Sequence, residues 1–259
     1  MISNKNIDNG NGFDWGFASE DYAKYRDIYP DGFYKKIVDL GYCINGQKVL
    51  DLGTGTGVLP RNMYKYGAKF VGADISENQI KYAEKLSKGM DIEYIVSSAE
   101  DIDLPKKSFD VITACQCFMY FDKKTVLPKL HRLLKDNGHL LILFMAWLPY
   151  ESEIAKASED LVLKYNPQWT GSGMTRYRID KPDWLMDLFN VENAISYDID
   201  VSFTRESWNG RMKACRGIDA SLTADKIAEF EKEHLEYLST VSEKFTIPHY
   251  ATLLDLKRI

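Results

Sequence analysis

The stretch VLDLGTGTG, residues 49–57, decides the reading of this chain. A short apolar run ends on an acid, Asp51, and then Gly53, Gly55 and Gly57 alternate with Thr54 and Thr56. The apolar run predicts a buried strand. The residues beyond it, LPRNMYKYG (59–67), predict a helix that stops at Gly67. Strand, glycine loop and helix in that order let backbone approach a ligand closely, and the helix start offers unpaired N–H groups. A Walker loop would need Gly-Lys-Ser or Gly-Lys-Thr, which is absent. The dinucleotide fingerprint G-x-G-x-x-G would need glycine at position 58, where Val58 stands.

Outward from this stretch, strand-like and helix-like segments alternate. KFVGADIS (69–76) predicts a second strand, and ENQIKYAEKLSKG (77–89) a helix capped by Ser76. IEYIVSSAE (92–100) and FDVITACQCF (109–118) predict a third and a fourth strand. KKTVLPKLHRLLKDNG (123–138) predicts a helix ended by Gly138, and HLLILFMAW (139–147) a fifth strand. This rhythm predicts a doubly wound, parallel α/β sheet. After Trp147 it breaks. Helices are expected over 151–165, 182–189, 206–217 and 223–241, and strands over 193–203 and 250–259.

With these blocks in this order, residues 22–147 resemble the class I S-adenosylmethionine-dependent methyltransferases. The resemblance is to their small-molecule, type 11 subgroup, related to ubiquinone-biosynthesis and trans-aconitate methyltransferases. It implies a Rossmann-like seven-stranded sheet whose last strand is antiparallel, with helical cap insertions. It implies S-adenosylmethionine as cofactor and S-adenosylhomocysteine as product. The expected organisation is a flexible segment over 1–21 and a cofactor-binding core with an N-terminal lid helix over 22–147. The remainder of the same domain follows over 148–259, with cap insertions at 148–181 and 204–249 and the last two strands.

The resemblance also assigns residues. Asp51 orients the loop and reaches the methionine amino group, while Gly53, Thr54, Gly55 and Gly57 make room for methionine and ribose. Asp74 accepts the ribose hydroxyls, and Ile75 and Gln79 flank the adenine. Ser98 and Ala99 end the third strand near the adenine edge; many relatives carry Asp at the position of Ser98, and here Glu100 or a backbone carbonyl would substitute for it. Cys115 and Gln116 lie under the methionine. Tyr22 and Arg26, in FDWGFASEDYAKYRDIYPDGF (13–33), match a lid over cofactor and acceptor.

Both insertions should open on the cofactor rim, since the ligand lies at the carboxyl ends of the parallel strands. The acceptor should therefore meet Trp147 and, in TRESWNGRMKACRG (204–217), Trp208 and Arg211, which suit an anion. Methyl transfer from a sulfonium is a direct displacement, and a base is needed only for some acceptors. His249, expected where the last strand begins, is the first candidate base and Tyr120 the second.

The remaining composition sets limits. With 33 basic against 38 acidic residues, no basic stripe favours a nucleic-acid backbone. The most apolar run, LLILFMAW (140–147), is too short to span a bilayer. The first twelve residues are polar, unlike a secretory signal, so a cytoplasmic protein with four free thiols is expected. Cys115 and Cys117, two apart on a predicted strand, would share a face. No His/Cys set stands at zinc spacing, so no metal is expected. Two other readings stay open: a nicotinamide oxidoreductase, and a cofactor-binding module without turnover.

Overall fold

The computed structural model describes residues 5, 7–15, 19–177, 182–185 and 187–259. Its seven strands are β1 (Lys48–Leu52), β2 (Lys69–Asp74), β3 (Ile92–Val96), β4 (Phe109–Cys115), β5 (Leu134–Trp147), β6 (Phe189–Thr204) and β7 (Lys244–Arg258). They form one sheet in the order β3-β2-β1-β4-β5-β7-β6, with the last strand antiparallel. The pairs β1–β2, β1–β4, β2–β3 and β4–β5 are parallel. The order reverses at β1, so the loops after β1 and β4 flank the crevice where such sheets bind ligands.

The chain divides into two compact units. The glycine-loop unit comprises Tyr29–Met145, Arg178–Tyr197 and Ala251–Ile259. The aromatic unit comprises Met1–Ile28, Ala146–Tyr177 and Asp198–Tyr250. The N-terminal residues cluster with both insertions.

In the glycine-loop unit the central strands are nearly continuous apolar runs, as strands covered on both faces must be. Leu50, Leu52, Ile112 and Ala114 are buried with Leu127, Leu130 and Leu140 in one core. Edge strand β3 is only half-buried. The helices of this unit are α2 (Asp31–Asp39), α3 (Val58–Met63), α4 (Glu77–Leu86) and α5 (Lys123–Leu133), while α1 (Ser19–Tyr25) belongs to the aromatic unit. Ser76 caps α4 by accepting from Gln79 N, as expected from sequence.

Gly138 does not end a helix. Helix α5 stops at Leu133 and β5 starts at once, with Leu134 opposite Phe109 and His139 opposite Val111. Residues 135–138 thus bulge opposite Asp110 alone, and Asn137 takes a left-handed φ of 63°. Lys135 Nζ holds the bulge by donating to both Asp110 oxygens at 2.9 and 2.8 Å.

The aromatic unit is built on α6 (Glu153–Tyr165), α7 (Arg205–Lys213) and α8 (Ala224–Leu238). Its N-terminal portion, expected to be flexible, is pinned where it is described. Asp8 is buried and accepts from Thr170 N at 2.8 Å and from Arg216 Nε at 2.7 Å. Phe13 is buried, with Arg216 over its ring. The expectations for residues 1–4, 6, 16–18 and 178–181 lie outside the described residues. The helix expected over 182–189 is a single turn, Asp183–Leu185, followed by β6 from Phe189; residue 186 lies outside the described residues. No helix among the described residues is long and apolar enough to cross a membrane.

Candidate functional site

The glycine loop follows β1 and wraps around two buried acids. Asp51 is 2% exposed, and its carboxylate accepts from Thr54 Oγ1 at 2.7 Å and from Thr113 Oγ1 at 2.6 Å. Burial pushes its pKa up to about 7; the two hydroxyls pull it down, and the charge of Asp74 adds to the rise. Asp51 thus orients the loop through Thr54. Asp74, at the end of β2, accepts from Gly55 N and Ser76 N, both at 2.9 Å. Burial raises its pKa, opposed by those two amides. The carboxylate ends of two neighbouring parallel strands are therefore tied to one loop.

Gly53 must be glycine for two reasons. Its φ is +58°, and an added Cβ would lie 2.7 Å from Cys117 Cβ. Gly55 and Gly57 also have left-handed φ, and Gly57 caps α3. The hydroxyl of Thr56, a residue passed over at the level of sequence, is buried and has no hydrogen-bond partner among the described residues.

Ile75, beside Asp74, is 58% exposed, an apolar side chain open to a ligand. Gln79 is buried in α4. Beyond β3, Ser98 spends its hydroxyl locally, donating to Asp101 Oδ2 at 2.7 Å and accepting from Asp101 N at 3.0 Å. A carboxylate, that of Asp101, thus lies beside Ser98. Ala99 is buried in the core. Glu100 accepts from Asp122 N at 2.9 Å, so it braces the start of α5.

At the end of β4, Gln116 adopts φ +63° and breaks the strand alternation. Cys115 and Cys117 therefore do not share a face as expected. Cys115 Sγ donates to Tyr29 Oη at 3.6 Å, while Cys117 is buried and donates to Leu52 O at 3.1 Å. Gln116 Nε2 donates to Met145 O. Tyr120 sits in the turn Phe118–Tyr120, packed on the core.

The aromatic unit gathers six other predicted residues. The Trp147 and Trp208 rings meet edge-on at 5.6 Å, and the Arg211 guanidinium lies 4.8 Å from the Trp147 ring centroid. Trp147 Nε1 donates to Glu159 Oε1 at 2.6 Å, which fixes the indole plane. Arg211 is 6% exposed, so it is no part of a solvated basic face. Elsewhere in 204–217, Arg205 bonds Val241 O, Lys213 pairs with Asp21 and Glu231, and Arg216 pairs with Asp8. Tyr22 and Arg26 belong to this unit too; the Arg26 guanidinium lies over the Tyr22 ring at 4.7 Å.

His249 differs from expectation. It stands inside β7, which begins at Lys244, and is 1% exposed. Burial lowers its pKa to about 4, with the Arg211 charge adding to the fall and the Ile247 carbonyl opposing it. Such an imidazole is a weak base in the free protein. His234, in α8, is likewise buried and neutral, bonded to Ser158 and Asn209 at 2.9 Å each. No group of three or more His, Cys, Asp or Glu among the described residues could hold a metal ion.

Residues 50–142 match the methyltransferase domain family. The chain is 38% identical over 112 residues to a demethylmenaquinone methyltransferase of Thermotoga maritima, covering 42% of this chain and 48% of that one. It is 27% identical over 161 residues to a ubiquinone biosynthesis O-methyltransferase of Pseudomonas entomophila, covering 60% and 68%. The chain spans about half the length of the curated relatives it matches first. Among solved structures, the YcgJ protein of Bacillus subtilis shares the fold, with a TM-score of 0.54, 18% identity and coverage of 88% and 99%.

Proposed function

We propose that this chain, whose residues 50–142 belong to the methyltransferase domain family, moves a methyl group from S-adenosylmethionine to a small anionic molecule by direct displacement. The observation that carries this reading is the pair of buried carboxylates, Asp51 and Asp74, tied to one glycine loop through Thr54 and Gly55. This set fits the cofactor chemically. Asp51 retains lone pairs for an ammonium group and Asp74 for ribose hydroxyls. Left-handed glycines keep side chains out of the loop, and Ile75 offers an apolar face to adenine. Ala99, Glu100, Cys115 and Gln116 complete this set, with Asp101 beside Ser98. When bound, the cofactor supplies an electrophilic methyl group on a sulfonium.

The protein's own task is to hold, align and dry the reactants. The acceptor falls to the aromatic unit, where Trp147 and Trp208 supply an apolar wall and Arg211 a buried cation for an anionic group. Tyr22 and Arg26 act as the lid. A carboxylate acceptor needs no base, and an oxygen or nitrogen acceptor would turn to Tyr120. The similar menaquinone and ubiquinone enzymes are named for small-molecule chemistry, which supports this substrate class. Four free cysteines suit a cytoplasmic setting.

Calorimetry with S-adenosylhomocysteine and NADH tests the cofactor. Binding of the first and not the second is expected, and the reverse would overturn the reading. Arg211→Ala tests the anion site. It should raise the acceptor KM and leave cofactor affinity unchanged.

A further inference from the structure

Four residues of the glycine-loop unit stand in one row across the sheet. Thr113 on β4 is in register with Asp51 on β1, Asp51 with Gly72 on β2, and Gly72 with Tyr94 on β3. Register partners in parallel strands share one face of the sheet. Gly72 has no side chain, and the Tyr94 ring lies in the gap. A Cβ on Gly72 would stand 2.8 Å from both Tyr94 Cδ1 and Tyr94 Cε1. It would also stand 2.9 Å from Thr54 Oγ1, the hydroxyl that holds Asp51. The φ of Gly72 lies outside the left-handed region, so these neighbours, not the backbone, demand glycine there. The far end of the ring reaches the glycine loop. A Cβ on Gly57 would lie 3.0 Å from Tyr94 Cζ and closer still to Tyr94 Oη. Tyr94 Oη is 2.7 Å from the hydroxyl of Ser87, the C-cap of α4, so the ring is tied at its tip. Burial raises the Tyr94 pKa, the Ser87 bond opposes the rise and the Asp51 charge adds to it. The phenol and the Asp51 carboxylate therefore share one poorly hydrated space.

We propose that Tyr94 is a positioning residue for the cofactor: its ring is the floor on which the glycine loop rests, fixing where Thr54 and Asp51 meet the ligand and shielding Asp51 from water. This rests on the methyltransferase reading above. No contact with the ligand is asked of Tyr94, which acts through the loop. Glycine at positions 57 and 72 is selected by this ring.

The test is calorimetry with S-adenosylhomocysteine on the full chain, repeated across the neutral pH range. Tyr94→Leu, too short to reach Gly57, should bind about tenfold more weakly. The pH at which affinity rises, set by Asp51, should move down by about half a unit or more, because water reaches the carboxylate. Tyr94→Phe keeps the ring and loses only the Ser87 bond, so it should restore most of the affinity and the wild-type profile. Gly72→Ala attacks the same contact from the neighbouring strand with Tyr94 in place, and should also weaken binding about tenfold. In the double variant Gly72→Ala/Tyr94→Leu the two losses should not add fully, because the ring is no longer there to be displaced. A residue that only stabilised the fold would lower the thermal midpoint and leave the affinity and pH profile of the folded protein unchanged. That outcome in Tyr94→Leu overturns the proposal. If Tyr94→Leu does not fold, wild-type affinity in Gly72→Ala overturns it instead. Failure of the wild type to bind S-adenosylhomocysteine would overturn the methyltransferase reading itself, and this proposal with it.

Discussion

Thr113 on β4 donates its hydroxyl to the Asp51 carboxylate on β1 across 2.6 Å, and neither residue is appreciably exposed. This bond joins the two strands that flank the crevice at the sheet's reversal point, and it stabilises the charged form of a buried acid. Thr113→Val should remove that support and raise the Asp51 pKa further. S-adenosylhomocysteine affinity at neutral pH should fall by about 3- to 10-fold. Calorimetry at a higher pH should recover part of the loss, because Asp51 ionises again there.

Cofactor binding should depend on pH through the same acid. Asp51 titrates near 7, and only its ionised form attracts the ammonium group of S-adenosylhomocysteine. Affinity should therefore rise as pH increases through about 7. Asp51→Asn should bind weakly and show a flat profile over that range.

Gly53→Ala should be strongly damaging. The left-handed φ and the contact with Cys117 act together, and about 1–3 kcal/mol of stability should be lost to the backbone term alone. The double variant Gly53→Ala/Cys117→Gly should relieve the side-chain clash, which is with Cys117 Cβ and Sγ, and leave the backbone strain. Urea unfolding of the three proteins separates the two contributions.

Acid stability should carry the mark of two neutral histidines. His234 and His249 have folded pKa values near 4 against 6.5 unfolded. Between those values the unfolded chain binds more protons, so stability falls as pH drops through that window and is fully present above it. Each histidine contributes up to about 3 kcal/mol. Asp51 works with the opposite sign, losing stability as pH rises from 3.8 towards 7. His249→Gln should therefore flatten the acid limb of a stability–pH curve measured by urea unfolding.

Asp255 on β7 accepts from Tyr42 Oη at 2.8 Å and Asn193 Nδ2 at 2.8 Å, and bonds His139 Nδ1 at 2.7 Å. These bonds hold its carboxyl below the usual range against the pull of burial. Asp255→Ala would strand three polar groups at once and should cost about 3 kcal/mol or more. Thermal unfolding measures it, and S-adenosylhomocysteine affinity should change little.

The sequence by itself determined the strand–loop–helix unit at residues 49–67, the parallel order of the first five strands, and the acids Asp51 and Asp74 that end two of them. These are local facts. Apolar runs must be buried, caps and glycines punctuate helices, and a left-handed turn selects glycine at Gly53. The bulge at 135–138 was not legible, because it exists only through pairing with Asp110. Nor was the bonding of Ser98 to Asp101, which depends on how one turn closes. The tertiary structure alone decided that Arg211 is buried against Trp147, and that His249 sits inside a strand rather than at its start. Burial and partnership come from residues far apart in the chain. They set the charge of His249, and so decide that this imidazole is a weak base in the free protein.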